Sequence, residues 1–204
     1  MSRFAKSPLS ALTRSAVCTG AMLGALLGGA AQADTLGSIN GLHVYGGASA
    51  GFGVASRACG EAVGCNRANF SQKMFGGVRM TPSLAAEINY FYFRPLDKEY
   101  SPATSAATGV VAEREQARTI TLGINWETEL LQDFTNHIRL GVALTKHKNT
   151  LTLANGETQT VREHRNAPYL GLGLSYRVSE PLRLFSHADF IMDGHDSRTY
   201  LGVG

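Results

Sequence analysis

Residues 73–93 read KMFGGVRMTPSLAAEINYFYF, and the two-residue periodicity of this stretch decides the fold. Met74, Gly76, Val78 and Met80 share one face of an extended chain, and Lys73, Phe75, Gly77 and Arg79 share the other, because successive strand side chains point to opposite faces. Thr81-Pro82-Ser83 then interrupts the pattern, with proline supplying the backbone angle of a tight turn. On the return, Leu84, Ala86, Ile88, Tyr90 and Tyr92 line one side against Ala85, Glu87, Asn89, Phe91 and Phe93. The segment reads as a β-hairpin with one continuous apolar face and a carboxylate, Glu87, on the opposite face.

The same alternation spreads in both directions. Upstream, Leu42, Val44, Gly46, Ala48, Ala50, Phe52 and Val54 alternate with His43, Tyr45, Gly47, Ser49, Gly51 and Gly53. Downstream, residues 95–115 read as a long polar loop, and Ile120, Leu122, Ile124 and Trp126 mark a fourth strand. A connection over 127–135 precedes a fifth, carrying Ile138, Leu140, Val142 and Leu144. Asn155-Gly156 is a strong hairpin signal, so residues 147–165 are expected to project as a β-finger. Leu170, Leu172, Leu174, Tyr176 and Val178 form a sixth strand, Ser179-Glu180-Pro181 turns the chain, and two further strands run over 182–192 and from Ser197 onward.

Each run is near the roughly 9–11 residues that cross a bilayer at a tilt. Long polar connections alternate with short turns, which is the layout of a membrane barrel. An antiparallel sheet in lipid has to close, because an open edge would leave backbone groups without partners. The fold expected is all-β, an eight-stranded antiparallel transmembrane β-barrel with short periplasmic turns and longer extracellular loops. A soluble ligand-binding barrel would carry its apolar face inside, whereas here glycines and charges share the interior face.

The N-terminus explains how such a chain reaches a membrane. Arg3, Lys6 and Arg14 stand without an acidic residue, an apolar run follows over 21–27, and Ala31-Gln32-Ala33 ends it. This is the pattern of a cleaved signal peptide over residues 1–33, leaving one barrel domain at 34–204. The chain has 19 basic and 16 acidic residues, and the three cations of the leader account for the excess. A balanced mature chain lacks the basic field that nucleic acid demands, so no nucleic-acid partner is expected. Cys18 leaves with the leader. Cys59 and Cys65 then remain in an oxidising compartment, where a disulfide between them is expected.

GLHVYGGASAGFG, the C-x5-C pair of Cys59 and Cys65, and above all KMFGGVRMTPSLAAEINYFYF resemble the OmpA-like or opacity-type porin barrels of the Gram-negative outer membrane. The shared pattern is a Phe75-Gly76-Gly77 strand, a turn at Pro82 and a strand carrying a lumenal Glu87. Two departures stand out: Ser175 occupies a place where similar members often carry a second lumenal acid, and the last strand runs to Gly204 without a terminal aromatic. The resemblance implies an integral cell-envelope protein of structural or surface-interaction type. Its implied partners are outer-membrane lipids and lipopolysaccharide, the barrel assembly machinery during biogenesis, and host or envelope molecules met by the loops. A monomer is favoured, and no cofactor is expected.

Strand parity assigns Lys73, Arg79, Glu87, Arg139, Arg177, Arg183, His187 and Asp189 to the non-lipid face. An eight-stranded barrel is just wide enough for side chains to fill it, so these charges are expected to pair as a lumenal network. The six histidines have no short ligand spacing, which gives no metal site. Ser186, His187 and Asp189 are adjacent in sequence, but parity turns Ser186 to lipid and the other two inward, and no catalytic residue is expected. Lys146, Lys148, Arg162 and Arg165, with His147 and His164 nearby, fall near the outer rim, where basic groups meet anionic headgroups. The leading function is non-catalytic. A narrow porin-like channel for small solutes or ions and a lipid A-modifying barrel enzyme are the alternatives.

Overall fold

The computed structural model describes residues 32–39, 42–56, 59–60, 62–194 and 197–204. The expected leader lies outside the described residues up to residue 31, and His195 lies outside them too. Among the described residues ten strands run in chain order: β1 (Gln32–Ile39), β2 (Leu42–Ala55), β3 (Gly64–Cys65), β4 (Ala68–Thr81), β5 (Leu84–Glu99), β6 (Val110–Leu131), β7 (Phe134–Leu153), β8 (Thr158–Ser179), β9 (Leu182–Ile191) and β10 (Arg198–Val203). One short helix, α1 (Pro102–Thr108), joins β5 to β6.

Eight of these strands make the wall. Each from β4 to β10 except its ends pairs with its antiparallel neighbour, and β2 pairs with both β4 and β10, so the sheet closes in a ring. The seam is a short ladder from Arg198 opposite Ala55 to Val203 opposite Ala50. Below it, the same edge of β2 is occupied by β1, with Ile39 opposite Leu42 and Gly37 opposite Val44. At its start β1 also reaches β9, pairing Gln32 with Arg183 and Ala33 with Leu182. The wall is thereby continued where β10 is absent, as a sheet with unpaired edge groups requires.

The two ends differ. At one end Pro82-Ser83, Gln132-Asp133 and Glu180-Pro181 close two-residue turns. Asp133 takes a left-handed φ of 73° there, a conformation that Asp tolerates better than most residues. The opposite end carries the Cys59–Cys65 disulfide loop, whose β3 pairs with the end of β5, and the β7–β8 finger. The finger turns at Asn155-Gly156, with Gly156 at φ 84° and the Asn155 side chain accepting from the Glu157 amide.

Two connections expected as loops are largely strand. Residues 95–115 contain the end of β5, α1 and the start of β6, and residues 127–135 contract to the turn at Gln132-Asp133. Beyond the apolar belt the outer face of a strand meets water instead of lipid and the inner face carries charged groups, so no hydrophobic alternation marks it. Pro95 falls at a register shift between Phe93 and Leu96, a bulge being where a sheet tolerates proline. Helix α1 is capped by Ser101, whose hydroxyl accepts from the Thr104 amide, and ends at Gly109 with φ 72°.

Outward, the belt runs through Ile88, Ile120, Leu122, Ile124, Leu140, Val142, Leu172 and Leu201, all exposed. Trp126, Phe134 and Tyr176 edge it below, the last two rings 4.9 Å apart, and Tyr90 and Tyr92 edge it above, as aromatic girdles do at membrane interfaces. Replacing Val142 with Arg puts a charge in this belt and is expected to cost about 2–4 kcal/mol, whereas Thr158→Arg at the wetted start of β8 is expected to cost close to zero. Urea unfolding in lipid vesicles measures both, and equal midpoints would contradict the facing.

Candidate functional site: the lumen and the outer rim

The bore is filled in three tiers. The lower tier starts at Glu87 on β5, buried opposite Gly77 of β4. Tyr45 lies across the face of Gly77, where any side-chain carbon would overlap its ring, and its hydroxyl donates to Glu87 at 2.9 Å. From β7, the Arg139 guanidinium sets Nε 2.9 Å from the other Glu87 oxygen. That contact is an ion pair and lacks the angle of a hydrogen bond. Asn125 links Tyr45 to His137, and His137 Nε2 meets the Ser175 hydroxyl at 2.8 Å.

Ser175 thus ends this chain with a hydroxyl, and the second lumenal acid comes from β9. Asp189 receives the Lys73 ammonium at 2.9 Å and the Tyr169 hydroxyl at 2.6 Å. Lys73 is fully buried with it, and its ammonium lies 5.6 Å and 5.1 Å from the ring centres of Phe75 and Phe91. Two buried charges are tolerable only when paired, and ring faces add a further favourable field.

The middle tier is apolar. Phe91 and Phe93 stack at 6.0 Å, Phe91 meets Tyr200 at 5.6 Å and Tyr169 at 6.1 Å, and Ala117, Ala143, Ala167 and Ile191 complete the cluster. Glycine again makes the room: Gly202 lies under the Tyr200 ring, and Gly53 under Phe93. The tier packs rings across the bore, with the buried hydroxyls of Thr119 and Thr145 bonded to each other beside them.

Above the plug a second ionic cluster gathers under the loops. Glu115 accepts from Arg198, and sits 3.0 Å from Lys98 and 3.5 Å from His147. Burial alone would raise the Glu115 carboxyl, but the His147 hydrogen bond and the Arg198 and Lys98 charges prevail and hold it down at about 2. Arg165 turns to this inner side too, 3.4 Å from Asp193 and 2.8 Å from Glu163.

The parity-assigned residues therefore separate. Lys73, Glu87, Arg139 and Asp189 meet in the centre. His187 is near them but bonds Ser49 at 2.7 Å. Arg79 pairs with Glu127 at 3.0 Å, Arg183 approaches Thr135, and Arg177 faces Glu129 across 3.8 Å at the turn end. Ser186 is exposed on the outer wall, away from His187 and Asp189, and His187 Nδ1 receives no carboxylate among the described residues. Glu113, Glu115, Glu127 and Lys98 are charged groups of the interior that strand parity would have found had their segments been read as strand, and Arg198 is one that parity reaches within the run read as the last strand. Of the rim residues, Lys146, Lys148 and Arg162 are exposed at even, outward positions, whereas Arg165 and His147 point inward.

Removing one member of a buried pair strands the other, at about 3–5 kcal/mol, whereas replacing both by apolar groups of similar volume is often neutral. Arg139→Met is accordingly expected to lower stability by about that amount, and the double change Glu87→Leu with Arg139→Met to recover most of it. Equal losses in the single and double variants, measured by urea unfolding in vesicles, would show that the pair does not act as a unit.

In fold, the chain is similar to solved proteins. The chain overlays Neisserial surface protein A with a TM-score of 0.52 at 16% identity, covering 78% of this chain and 93% of that one. The attachment invasion locus protein Ail of Yersinia pestis, solved with the heparin analogue sucrose octasulfate, gives 0.49 at 7% identity, with 87% and 97% covered. The N-terminal β-barrel domain of Pseudomonas aeruginosa OprF gives 0.46 at 13%, with 78% and 93% covered. No curated protein sequence matches the chain. The OmpA-like transmembrane domain model matches residues 41–199, a span that begins at the foot of β2 and ends within β10, and the chain belongs to that family.

Proposed function

We propose that the chain is a non-catalytic structural and surface-contact barrel of the outer membrane, exported by a leader cleaved after Ala33, a cut that removes the Gln32 and Ala33 pairing with β9 and leaves the rest of β1 on β2. The observation that carries this reading is the filled bore. Phe91, Phe93, Tyr169 and Tyr200 span the middle, and the charges below them are consumed by one another. A pore needs a continuous wet path, and an apolar constriction opposes one by dewetting. Lipid A chemistry would need a nucleophile or base open to the bilayer. The Ser49–His187 pair is instead buried inside the wall, and Ser186 donates to the Leu174 carbonyl on the outside.

What remains exposed is the surface of the outer end: the disulfide-closed first loop, helix α1, and the β7–β8 finger. These are the parts available for envelope or host contacts, and the outward basic residues of β7 and β8 are placed for lipopolysaccharide. Purified folded barrel in planar bilayers is expected to give no steps of conductance, and lipid A from cells with and without the gene is expected to have the same mass spectrum. Reproducible single-channel steps would sink the structural reading in favour of the channel, and a shift by one acyl chain would sink it in favour of the enzyme.

A further inference from the structure

Above the apolar belt the wall goes on as a crown of β5, β6, β7 and β8, and its two edges are treated differently. On the β5 side, Gly64 and Cys65 of β3 pair with Glu99 and Lys98, and the Cys59–Cys65 disulfide holds them there. On the β8 side the cover stops early. β9 ends with Ile191 opposite Tyr169, and the Met192 amide donates to the Pro168 carbonyl one step higher. Among the described residues no strand pairs with this edge over residues 158–166. The Pro168 carbonyl points to the β9 side, whereas the Glu157 carbonyl points to Leu153 of β7. Backbone groups alternate in direction along an antiparallel strand, so Thr158, Thr160, Arg162, His164 and Asn166 turn both N–H and C=O to the open edge. Residues 158–164 are exposed, and the stretch has no proline and no register shift against β7. A flat, unguarded edge of this length is a template for a further strand.

The residues on the edge select the strand that fits. Set antiparallel to a second copy of itself about a two-fold axis at Val161, the edge brings Thr158 opposite His164 and Thr160 opposite Arg162, pairs whose free backbone groups face each other. Between them Val161 meets its own copy, Gln159 meets Glu163, and Glu157 meets Arg165. No like charges are opposed, and the outermost pairs are of opposite sign, which favours a cross-strand contact. Moving the axis by one residue spoils the match: at Arg162 the guanidinium faces itself, and at Thr160 it is Glu157 that faces Glu163. The edge is complementary to itself when the axis lies at Val161.

We propose that the open edge of β8 is a contact between copies of this chain, on which a second barrel lays its own β8 antiparallel and joins the two crowns into one sheet. Antiparallel pairing inverts one barrel relative to the other, so the copies stand in facing membranes and each remains a monomer in its own. The contact is clear of lipid, because Asn166 shares its row with Leu144 at the top of the belt and Val161 stands about 16 Å further along the strand. This rests on the outer-membrane reading and names a partner for the surface it leaves exposed.

The test uses the folded full-length barrel, one copy per phosphatidylcholine nanodisc, with sedimentation velocity as readout. The unaltered protein is expected to join discs in pairs as its concentration rises. Thr160→Pro removes one edge N–H from each copy while leaving the ladder to β7 whole, and should weaken pairing on the order of thirtyfold, since two backbone bonds are lost per dimer. Thr150→Ala, one strand back from the edge, should leave pairing unchanged. Cross-linking under mild oxidation reads the register. Val161→Cys should bridge to its own copy, whereas Gln159→Cys and Glu163→Cys should bridge only when the two variants are mixed, because directly opposed residues lie within disulfide reach. Single discs at every concentration, pairing untouched by Thr160→Pro, or Gln159→Cys bridging to itself as readily as Val161→Cys would overturn the inference alone. Failure of the unaltered barrel to fold in a bilayer disc would overturn the membrane reading with it.

Discussion

The ladder between β2 and β10 is the contact on which everything else depends. In water an open antiparallel sheet can leave an edge to solvent, but in hydrocarbon every unpaired amide and carbonyl costs several kcal/mol. Joining Ala50–Ala55 to Arg198–Val203 removes that cost and, in the same step, divides every strand into a lumenal and a lipid-facing set. Closure also explains β1, which continues the wall on the stretch of β2 below the seam. Gly51 and Gly202 lie opposite each other within the ladder, so closely that a side-chain carbon on Gly51 would overlap the backbone of β10.

Closure creates a narrow interior that has to be filled without stranding charge. The chain does this by setting glycine beneath large rings, Gly77 beneath Tyr45 and Gly202 beneath Tyr200, and by matching cation to anion across the bore rather than along it. Lys73 of β4 reaches Asp189 of β9, and Arg139 of β7 reaches Glu87 of β5. Such links tie distant strands to one another and set a counter-charge beside each of these four groups. The interior is thereby taken up by packed rings and ion pairs.

Much of the wall was legible in the sequence because lipid on one side imposes a strict apolar period. KMFGGVRM and LAAEINYFYF show it, and so do the runs ending at Trp126 and beginning at Ile138. Where the strands leave the bilayer that constraint lapses: VVAEREQAR is strand at the start of β6 although it reads as loop. The same lapse hid Glu115 and Lys98 from the list of interior charges and left Arg165 grouped with Lys146 and Lys148. Parity, once the strand was known to continue, separates them without further information. Pairing is different in kind. Nothing in the local sequence of β4 points to Asp189, because that contact is set by the shear of the closed barrel.

The central claim is that each strand alternates between lipid and a filled interior, and a nitroxide scan along residues 118–127 of β6 tests it most directly. With the folded protein in vesicles, accessibility to dissolved oxygen should peak at 120, 122, 124 and 126, and fall at the odd positions between them. A water-soluble relaxant should reach neither set through the length of the belt. Alternation with the opposite phase, or odd positions freely reached by the water-soluble relaxant, would contradict a sealed barrel with this facing.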